Sequence, residues 1–156
     1  MANEKEILFG NAHLIGATER IENGWLRVRG QRIEAIGAGE PPTCEENSAF
    51  EIIDCGGQTL IPGFIDLHTH GALGSDFVFG KPNQIKEVSR FYSVHGVTGF
   101  LATTYAASQA ELSAAISTIS KCVGQEPGAR ILGIHLEGPW LNPQVAGAQA
   151  KERIRT

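Results

Sequence analysis

The sequence lacks most features that mark secreted, membrane or nucleic-acid-binding proteins. Its 156 residues include only three cysteines, Cys44, Cys55 and Cys122, whose spacing suits neither a disulfide framework nor a C-x-x-C metal site, so we expect free thiols. The formal charge is −4 and no basic run occurs, which argues against nucleic acid or anionic lipid as a partner. The charged N-terminus leads into a short apolar run, unlike a signal peptide or a spanning helix, so we expect a cytoplasmic protein without membrane association.

The residues that are present have the balance of an ordinary globular chain. Hydrophobic residues make up 42% and charged residues 19%, enough apolar surface to form a core. One domain, or two small ones, is expected at this length. An architecture that needs roughly 200 to 250 residues cannot be completed here.

The first part of the chain, residues 1–58, predicts a small, sandwich-like β domain. Two pairs of residues, Asn23-Gly24 and Gly30-Gln31, are the tightest hairpin candidates because Asn and Gly tolerate positive φ. The composition of residues 39–48 indicates a surface loop. Short β-patterned segments separated by turn residues cover residues 7–9, 25–29, 32–36 and 51–54.

The remainder, residues 59–156, predicts alternating strands and helices. The first helix has Asn83 as a candidate cap and Gly96 at its end, and the second opens with a capping box formed by Ser108 and Glu111. An apolar stripe on the second helix consists of Leu112, Ala115, Ile116, Ile119 and Val123. The predicted order is a strand at 64–70, a helix at 83–95, a strand at 97–104, a helix from 108 to about 123 and a strand at 131–136. This order predicts an α/β fold with a parallel sheet, in which the last strand is an open edge.

Two histidines at the end of the first strand of this sheet form the sharpest local feature. Side chains alternate along a strand, so His68 and His70 share a face and can converge on one ion. The alternative is a pair of histidines that simply face solvent. Asp66 lies deeper on the same face and is interpreted as a core or supporting carboxylate rather than a ligand.

A carboxylate follows the third strand of the sheet. Because ligands bind at the carboxyl ends of parallel strands, Glu137 is expected beside His68 and His70, where a cation would offset its desolvation. The alternative is a glutamate exposed in a loop, since Gly138-Pro139 redirects the chain. His135 is interpreted as structural or supporting.

Two segments carry a resemblance to a known family. Residues 61–71 (IPGFIDLHTHG) are similar in outline to many members of the amidohydrolase superfamily. Residues 135–143 (HLEGPWLNP), followed by Gly147-Ala148, more closely resemble the N-acetylglucosamine-6-phosphate deacetylases, and residues 96–103 (GVTGFLAT) resemble the second strand of those enzymes.

The resemblance implies a fold, an activity and a cofactor. It implies a small N-terminal β domain followed by the first three strands and two helices of an incomplete (β/α)₈ TIM barrel. It implies a cytoplasmic enzyme, a homodimer when complete, that releases acetate from N-acetylglucosamine 6-phosphate in amino-sugar catabolism. The implied cofactor is a divalent metal ion, with zinc expected first and iron, cobalt or manganese as alternatives.

Site residues follow by motif position. Glu137 is implied as a metal ligand, His68 and His70 as ligands of a second ion where a member uses one, and Ala148 and Gln149 as substrate contacts. Gln149 departs from the family, which carries a histidine there, and Gln cannot carry a proton or a charge. The resemblance places the acid–base Asp, two more metal-binding histidines and the phosphate contacts in later strands, so no catalytic residue is expected within this chain.

Three hypotheses stay open. In the first, the chain is the N-terminal fragment of such a deacetylase and is inactive alone. In the second, it is a short protein that binds a metal or pairs with a deacetylase subunit without catalysis. In the third, the enzyme class is the same but the substrate is a cyclic amide or another N-acyl compound.

Overall fold

A computed structural model describes residues 5–41 and 50–156 of the chain. Contacts divide the chain into two units, Met1–Pro62 and Gly63–Thr156. Within the described residues, the first unit contains β1 (Glu6–Ile15), β2 (Arg20–Arg29), β3 (Arg32–Ala38), β4 (Phe50–Asp54) and β5 (Thr59–Leu60). The second contains β6 (Phe64–Thr69), β7 (Gly71–Ala72), β8 (Ser75–Asp76), α1 (Pro82–Val94), β9 (Val97–Thr104), α2 (Gln109–Cys122) and β10 (Arg130–Leu136). The chain is therefore mixed α/β, as predicted.

The first unit is a β-sheet built around β1. Strand β1 pairs with β2 in antiparallel fashion and with β4 and β5 in parallel, while β3 extends the sheet beyond β2. Its buried side chains include Leu8, Leu14 and Trp25. All four segments predicted as strands are present, each within a strand as long or longer.

The prediction of a hairpin turn at Asn23-Gly24 is wrong. Both residues lie inside β2, where Asn23 has a φ of 49° and the pairing with β1 shifts register. The positive φ accommodates a bulge rather than a chain reversal, because Asn tolerates the left-handed region in either setting. The turn at Gly30-Gln31 does join β2 to β3, and Gly30 has a φ of 57°.

The second unit is a three-stranded parallel sheet with helices packed on it. Strand β9 lies at the centre, between β6 and β10, and both neighbours run parallel to it. Among the described residues, β6 and β10 are therefore the edges, as predicted for the last strand. The carboxyl ends of all three strands lie at one edge of the sheet, which is where α/β folds bind ligands.

The core of this unit lies between the sheet and its two helices. Phe100 of β9 stacks on Phe77, with ring centroids 5.6 Å apart, and meets the edge of Tyr92 from α1 at 5.1 Å. Residues buried in this core come from both helices and from β9 and β10, and they include Ile85, Val88, Ala102, Ile119, Cys122 and Ile131. Packing of this kind holds the strand ends in fixed positions.

The first helix begins earlier than predicted. Lys81, not Asn83, is the N-cap, and Pro82 occupies the first turn, where its missing N–H costs no hydrogen bond. The backbone N–H of Lys81 donates to the side chain of Gln84 at 2.9 Å. Gly96, with a φ of 81°, follows the end of the helix as predicted.

The second helix opens with the predicted capping box, but its apolar stripe differs. Leu112, Ala115 and Ile119 are buried, whereas Ile116 is 37% exposed and Val123 is 52% exposed. Val123 is the C-cap and has an extended backbone, so its side chain leaves the helical face, and Cys122 is buried instead.

Two of the predicted free thiols, Cys55 and Cys122, are free in the structure, and burial raises the pKa of Cys122. Cys44 and most of the predicted loop at 39–48 lie outside the described residues. Within the described part of the chain, neither helix has the length and apolar character needed to cross a bilayer.

Candidate metal centre

Two imidazoles meet at the carboxyl end of β6. Strand β6 ends at Thr69, so His68 is the second-last residue of the strand and His70 directly follows it. Alternation along the strand directs both side chains to the same face, and their ring centroids lie 5.1 Å apart at an interplanar angle of 89°. Both side chains are about half exposed, so the rings remain open to a ligand from solvent.

The carboxylate of Glu137 joins this pair from the end of β10. Its Oε2 atom lies 3.1 Å from His68 Nε2 and 3.1 Å from His70 Nε2. The three possible ligand atoms all lie within 4.8 Å of one another, and this is the only such group of His, Cys, Asp or Glu residues found in the part of the chain that the structure describes. The structure thus brings together the three side chains proposed from the sequence; their role as ligands stays a prediction.

The donor atoms fit a divalent cation. Oε2 of Glu137 is buried and has no hydrogen-bond partner in the protein, although two imidazole nitrogens lie beside it. A buried carboxylate oxygen without a partner is costly, and a cation would remove that cost. Ligands at 2.0 to 2.1 Å around a tetrahedral ion lie about 3.3 Å apart, close to the 3.1 Å between Oε2 of Glu137 and each imidazole nitrogen. Two histidines and a glutamate are also an established catalytic zinc set.

A backbone carbonyl selects the tautomer of His70. Its Nδ1 lies 3.2 Å from the carbonyl oxygen of Thr103, which can only accept a hydrogen bond. Nδ1 therefore carries a proton, so in a neutral ring the lone pair would lie on Nε2, the nitrogen that faces Glu137. Metal-bound histidines commonly donate their second N–H in this way.

Other polar contacts fix the end of β6. The backbone N–H of His68 donates to Asp66 Oδ1 at 3.0 Å, and that of Thr69 donates to Thr103 Oγ1 at 3.1 Å. Asp66 therefore supports the strand end that carries His68. His135 lies nearby, with its ring centroid 5.1 Å from that of His68, but it is not part of the three-residue cluster.

The side chain of Gln149 contacts the cluster from the loop that follows β10. Its Nε2 donates to Glu137 Oε1 at 2.6 Å, and its Oε1 accepts from the backbone N–H of Ala106 at 2.8 Å. Sequence reasoning did not identify this contact. Its only signal was the expectation, from the resemblance, of a histidine at this position, which marked Gln149 as unusual without showing what it touches.

A cavity of about 320 Å³ adjoins the cluster. His70 and Gln149 line it together with Tyr105, Ala148 and Arg153. Burial and the nearby Asp76 raise the pKa of Tyr105, so its hydroxyl stays protonated across the neutral range. Both residues predicted to contact substrate, Ala148 and Gln149, therefore face one cavity next to the proposed ligands.

The remaining histidines lie elsewhere. His13, in the first unit, has its Nδ1 3.2 Å from Glu22 Oε2, with both side chains substantially exposed. His95 is the C-cap of α1, where its Nδ1 lies 2.7 Å from the carbonyl oxygen of Phe91. Neither belongs to the cluster, as expected from the sequence.

Comparison with known proteins supports the family suggested by the motifs. No model of a protein family matches the sequence. The chain is 32% identical over 155 residues to N-acetylglucosamine-6-phosphate deacetylase of Bacillus subtilis, which covers 97% of this chain and 38% of that protein. It is 33% identical over 137 residues to N-acetylgalactosamine-6-phosphate deacetylase of Escherichia coli O157:H7, covering 86% of this chain and 35% of that protein.

Comparison with solved structures supports the same family. A mutant N-acetyl-D-glucosamine-6-phosphate deacetylase from Mycobacterium smegmatis, in complex with N-acetyl-D-glucosamine 6-phosphate, matches with a TM-score of 0.82 and 30% identity over 97% of this chain and 37% of that one. The chain thus spans little more than a third of the length of its relatives. The motifs, the fold and the sequence identity lead to one conclusion: the chain belongs to the N-acetylglucosamine-6-phosphate deacetylase family of amidohydrolases.

Proposed function

We propose that His68, His70 and Glu137 hold a divalent metal ion, zinc first among the candidates, in an enzyme that deacetylates N-acetylglucosamine 6-phosphate. The single observation that carries this proposal is the convergence of two imidazole nitrogens, each 3.1 Å away, on one buried and otherwise unpartnered carboxylate oxygen. The names of the relatives supply the substrate class.

The reaction breaks the C–N bond of the acetamide and adds the elements of water, which gives acetate and the free amine. A divalent ion supplies two things to such a hydrolysis: it lowers the pKa of water and it polarises a carbonyl oxygen. The residues of this chain bind and orient. His70 donates its Nδ1–H to the carbonyl oxygen of Thr103 and directs Nε2 towards the site, and Glu137 supplies a carboxylate.

The acid–base residue of the reaction is proposed to come from outside this chain. Asp66, the acidic side chain on β6, accepts a hydrogen bond from the backbone N–H of His68 through Oδ1. This contact stabilises the end of the strand. We infer that the 156-residue chain alone has no deacetylase turnover, and that the complete enzyme is a cytoplasmic homodimer.

The parallel sheet is proposed to be the first three strands of a (β/α)₈ barrel. Support comes from the edge strands, where large apolar side chains are exposed. Ile65 and Leu67 on β6 are 59% and 63% exposed, and Leu132 and Leu136 on β10 are 48% and 47% exposed. Further strands and barrel packing would cover such surfaces.

A second substrate is favoured by one relative. The Escherichia coli protein with 33% identity acts, by its name, on N-acetylgalactosamine 6-phosphate, an epimer of the first substrate at one hydroxyl. The described residues of the cavity do not separate the two sugars. Turnover of both sugar phosphates by the full-length enzyme, compared as kcat/KM, would assign the preference.

Metal binding by the purified chain tests the proposal. After removal of metal with a chelator, zinc titration in competition with a chromogenic chelator is expected to show one tight site per chain. Glu137→Gln should weaken zinc binding at this site by more than about 100-fold. Absence of a site, or a site unaffected by Glu137→Gln, would contradict the proposed metal centre. Acetate release above a metal-only blank by the wild-type chain would contradict its proposed inactivity.

A further inference from the structure

We propose that Gln149 is a positioning residue, which orients the carboxylate of Glu137 by holding Oε1 so that Oε2 faces the two imidazoles. This inference rests on the proposed metal centre. The contact joins residues from two different segments, the end of β10 and the loop beyond it, with a donor–acceptor distance of 2.6 Å. It occupies the one carboxylate oxygen that does not face the histidines.

The orientation of the Gln149 amide is fixed by its two partners. The Glu137 carboxylate can only accept a hydrogen bond, and the backbone N–H of Ala106 can only donate one. The NH₂ group must therefore face Glu137 and the carbonyl oxygen must face Ala106. With both ends engaged, the amide links the carboxylate to the backbone that follows β9, an element held by the core.

The loop that carries Gln149 is itself anchored. The backbone N–H of Gln149 donates to Ala146 O at 3.1 Å, and that of Arg155 donates to Pro139 O at 2.7 Å. The guanidinium of Arg153 lies 3.4 Å from Glu111 Oε2 at the start of α2. A tethered loop delivers the amide at a constant position, as a positioning group requires.

The amide chemistry suits this task. Gln carries no charge and does not titrate, so it restrains the carboxylate without neutralising it. A free Glu137 side chain would rotate among several orientations, and only some place an oxygen between His68 and His70. Holding Oε1 removes that freedom before the ion binds, and such outer contacts alter metal affinity by about 10- to 100-fold.

The test compares three variants of the 156-residue chain. Gln149→Met keeps the length and shape of the side chain and removes both hydrogen bonds. Gln149→Ala removes the same bonds without filling the space, which separates lost positioning from steric displacement. Gln144→Met is the matched control, because Gln144 is an exposed residue of the same loop and its side chain has no hydrogen bond among the described contacts.

Zinc affinity and the visible spectrum of bound Co²⁺ are the two measurements. Both Gln149 variants are expected to bind zinc about 10- to 100-fold more weakly than wild type and to show a changed Co²⁺ absorption band, because the carboxylate no longer keeps one orientation. Gln144→Met should match wild type in both. Urea unfolding of the metal-free proteins checks that each variant folds.

The outcomes separate this inference from the proposed metal centre. If wild type binds no zinc, the metal centre and the inference both fail. If wild type binds zinc and the folded Gln149 variants bind it within about twofold of wild type, with the same Co²⁺ spectrum, only the positioning role fails. A loss confined to Gln149→Met would indicate steric displacement and would also overturn the positioning role.

Discussion

Two glutamates, one at the start of a helix and one at the end of a strand, show that the same side chain can stabilise the fold in one place and be available to a cation in another. Glu111, at the start of α2, accepts the backbone N–H of Ser108 at 2.7 Å, and Ser108 Oγ accepts the backbone N–H of Glu111 in return. Glu137, at the end of β10, has one oxygen bonded to Gln149 and one that meets only imidazole nitrogens.

The two carboxylates differ in the partners that the protein provides for their oxygen atoms. Glu111 has partners in the protein, the backbone N–H of Ser108 and the guanidinium of Arg153, and its charge is favoured at the positive end of the helix dipole, so it stabilises the fold. The protein does not satisfy Oε2 of Glu137, so that atom is available to a cation. The exposed pair of His13 and Glu22, 3.2 Å apart, shows that a short distance between an imidazole and a carboxylate is not enough. A second imidazole and burial distinguish Glu137.

Removal of the Glu137 charge should have the largest effect. Glu137→Gln is expected to weaken zinc binding by more than about 100-fold, since loss of a ligand should exceed the effect of losing an outer contact. Glu22→Gln is the matched control and should leave zinc affinity unchanged. Competition titration measures both. Equal losses in the two variants would mean that Glu137 is not special among the carboxylates paired with histidine.

Zinc should stabilise the wild-type chain through the same residue. At a free zinc concentration 100 times the Kd, the free energy of unfolding should rise by about 2.7 kcal/mol, because the ion binds only the folded state. Urea unfolding with and without zinc measures the change. In Glu137→Gln the same addition should have no effect. A similar rise in that variant would place the ion elsewhere.

The capping contact of α2 should matter for stability alone. Ser108→Ala is expected to lower the free energy of unfolding by about 1 kcal/mol, because an N–H at the start of the helix loses its acceptor. Zinc affinity should not change. Urea unfolding and zinc titration of the same sample check the two halves of this prediction. A loss of zinc affinity would show that the helix start and the metal centre are coupled.

The smallest expected effect is a pH dependence from Glu111. Hydrogen bonds from Ser108 hold the pKa of Glu111 below its usual value. A carboxyl group whose pKa is lower in the folded state adds stability above its unfolded pKa, and this stability is lost as the pH falls through the folded pKa. The difference in unfolding free energy between wild type and Glu111→Gln should therefore shrink on acidification. A difference that does not vary with pH would contradict this.

Much of the architecture could be predicted from the sequence where local signals agreed. Strand β9 has the predicted bounds, and the capping box placed the start of α2 correctly, because Ser108 and Glu111 satisfy each other over three residues. Predictions were wrong where a residue type is compatible with two different local structures. Positive φ at Asn23 fits a turn or a bulge, and the pairing with β1 decides between them. Asn83 is a good cap by type, but Pro82 fixes an earlier start.

In the candidate metal centre, too, some contacts could be predicted from the sequence and others could not. Strand alternation places His68 and His70 together, and the parallel topology brings Glu137 to the same edge, so this cluster could be predicted. The contact between Gln149 and Glu137 could not, since it spans an irregular loop in which no periodicity relates the two residues. The anchoring of that loop depends on tertiary contacts.

A crystal structure of the zinc-loaded chain, with the ion located by its anomalous scattering, tests the central claim most directly. The account predicts zinc within about 2.0 to 2.2 Å of His68 Nε2, His70 Nε2 and a carboxylate oxygen of Glu137. An ion bound through Nδ1 of His70, or bound away from Glu137, would contradict it.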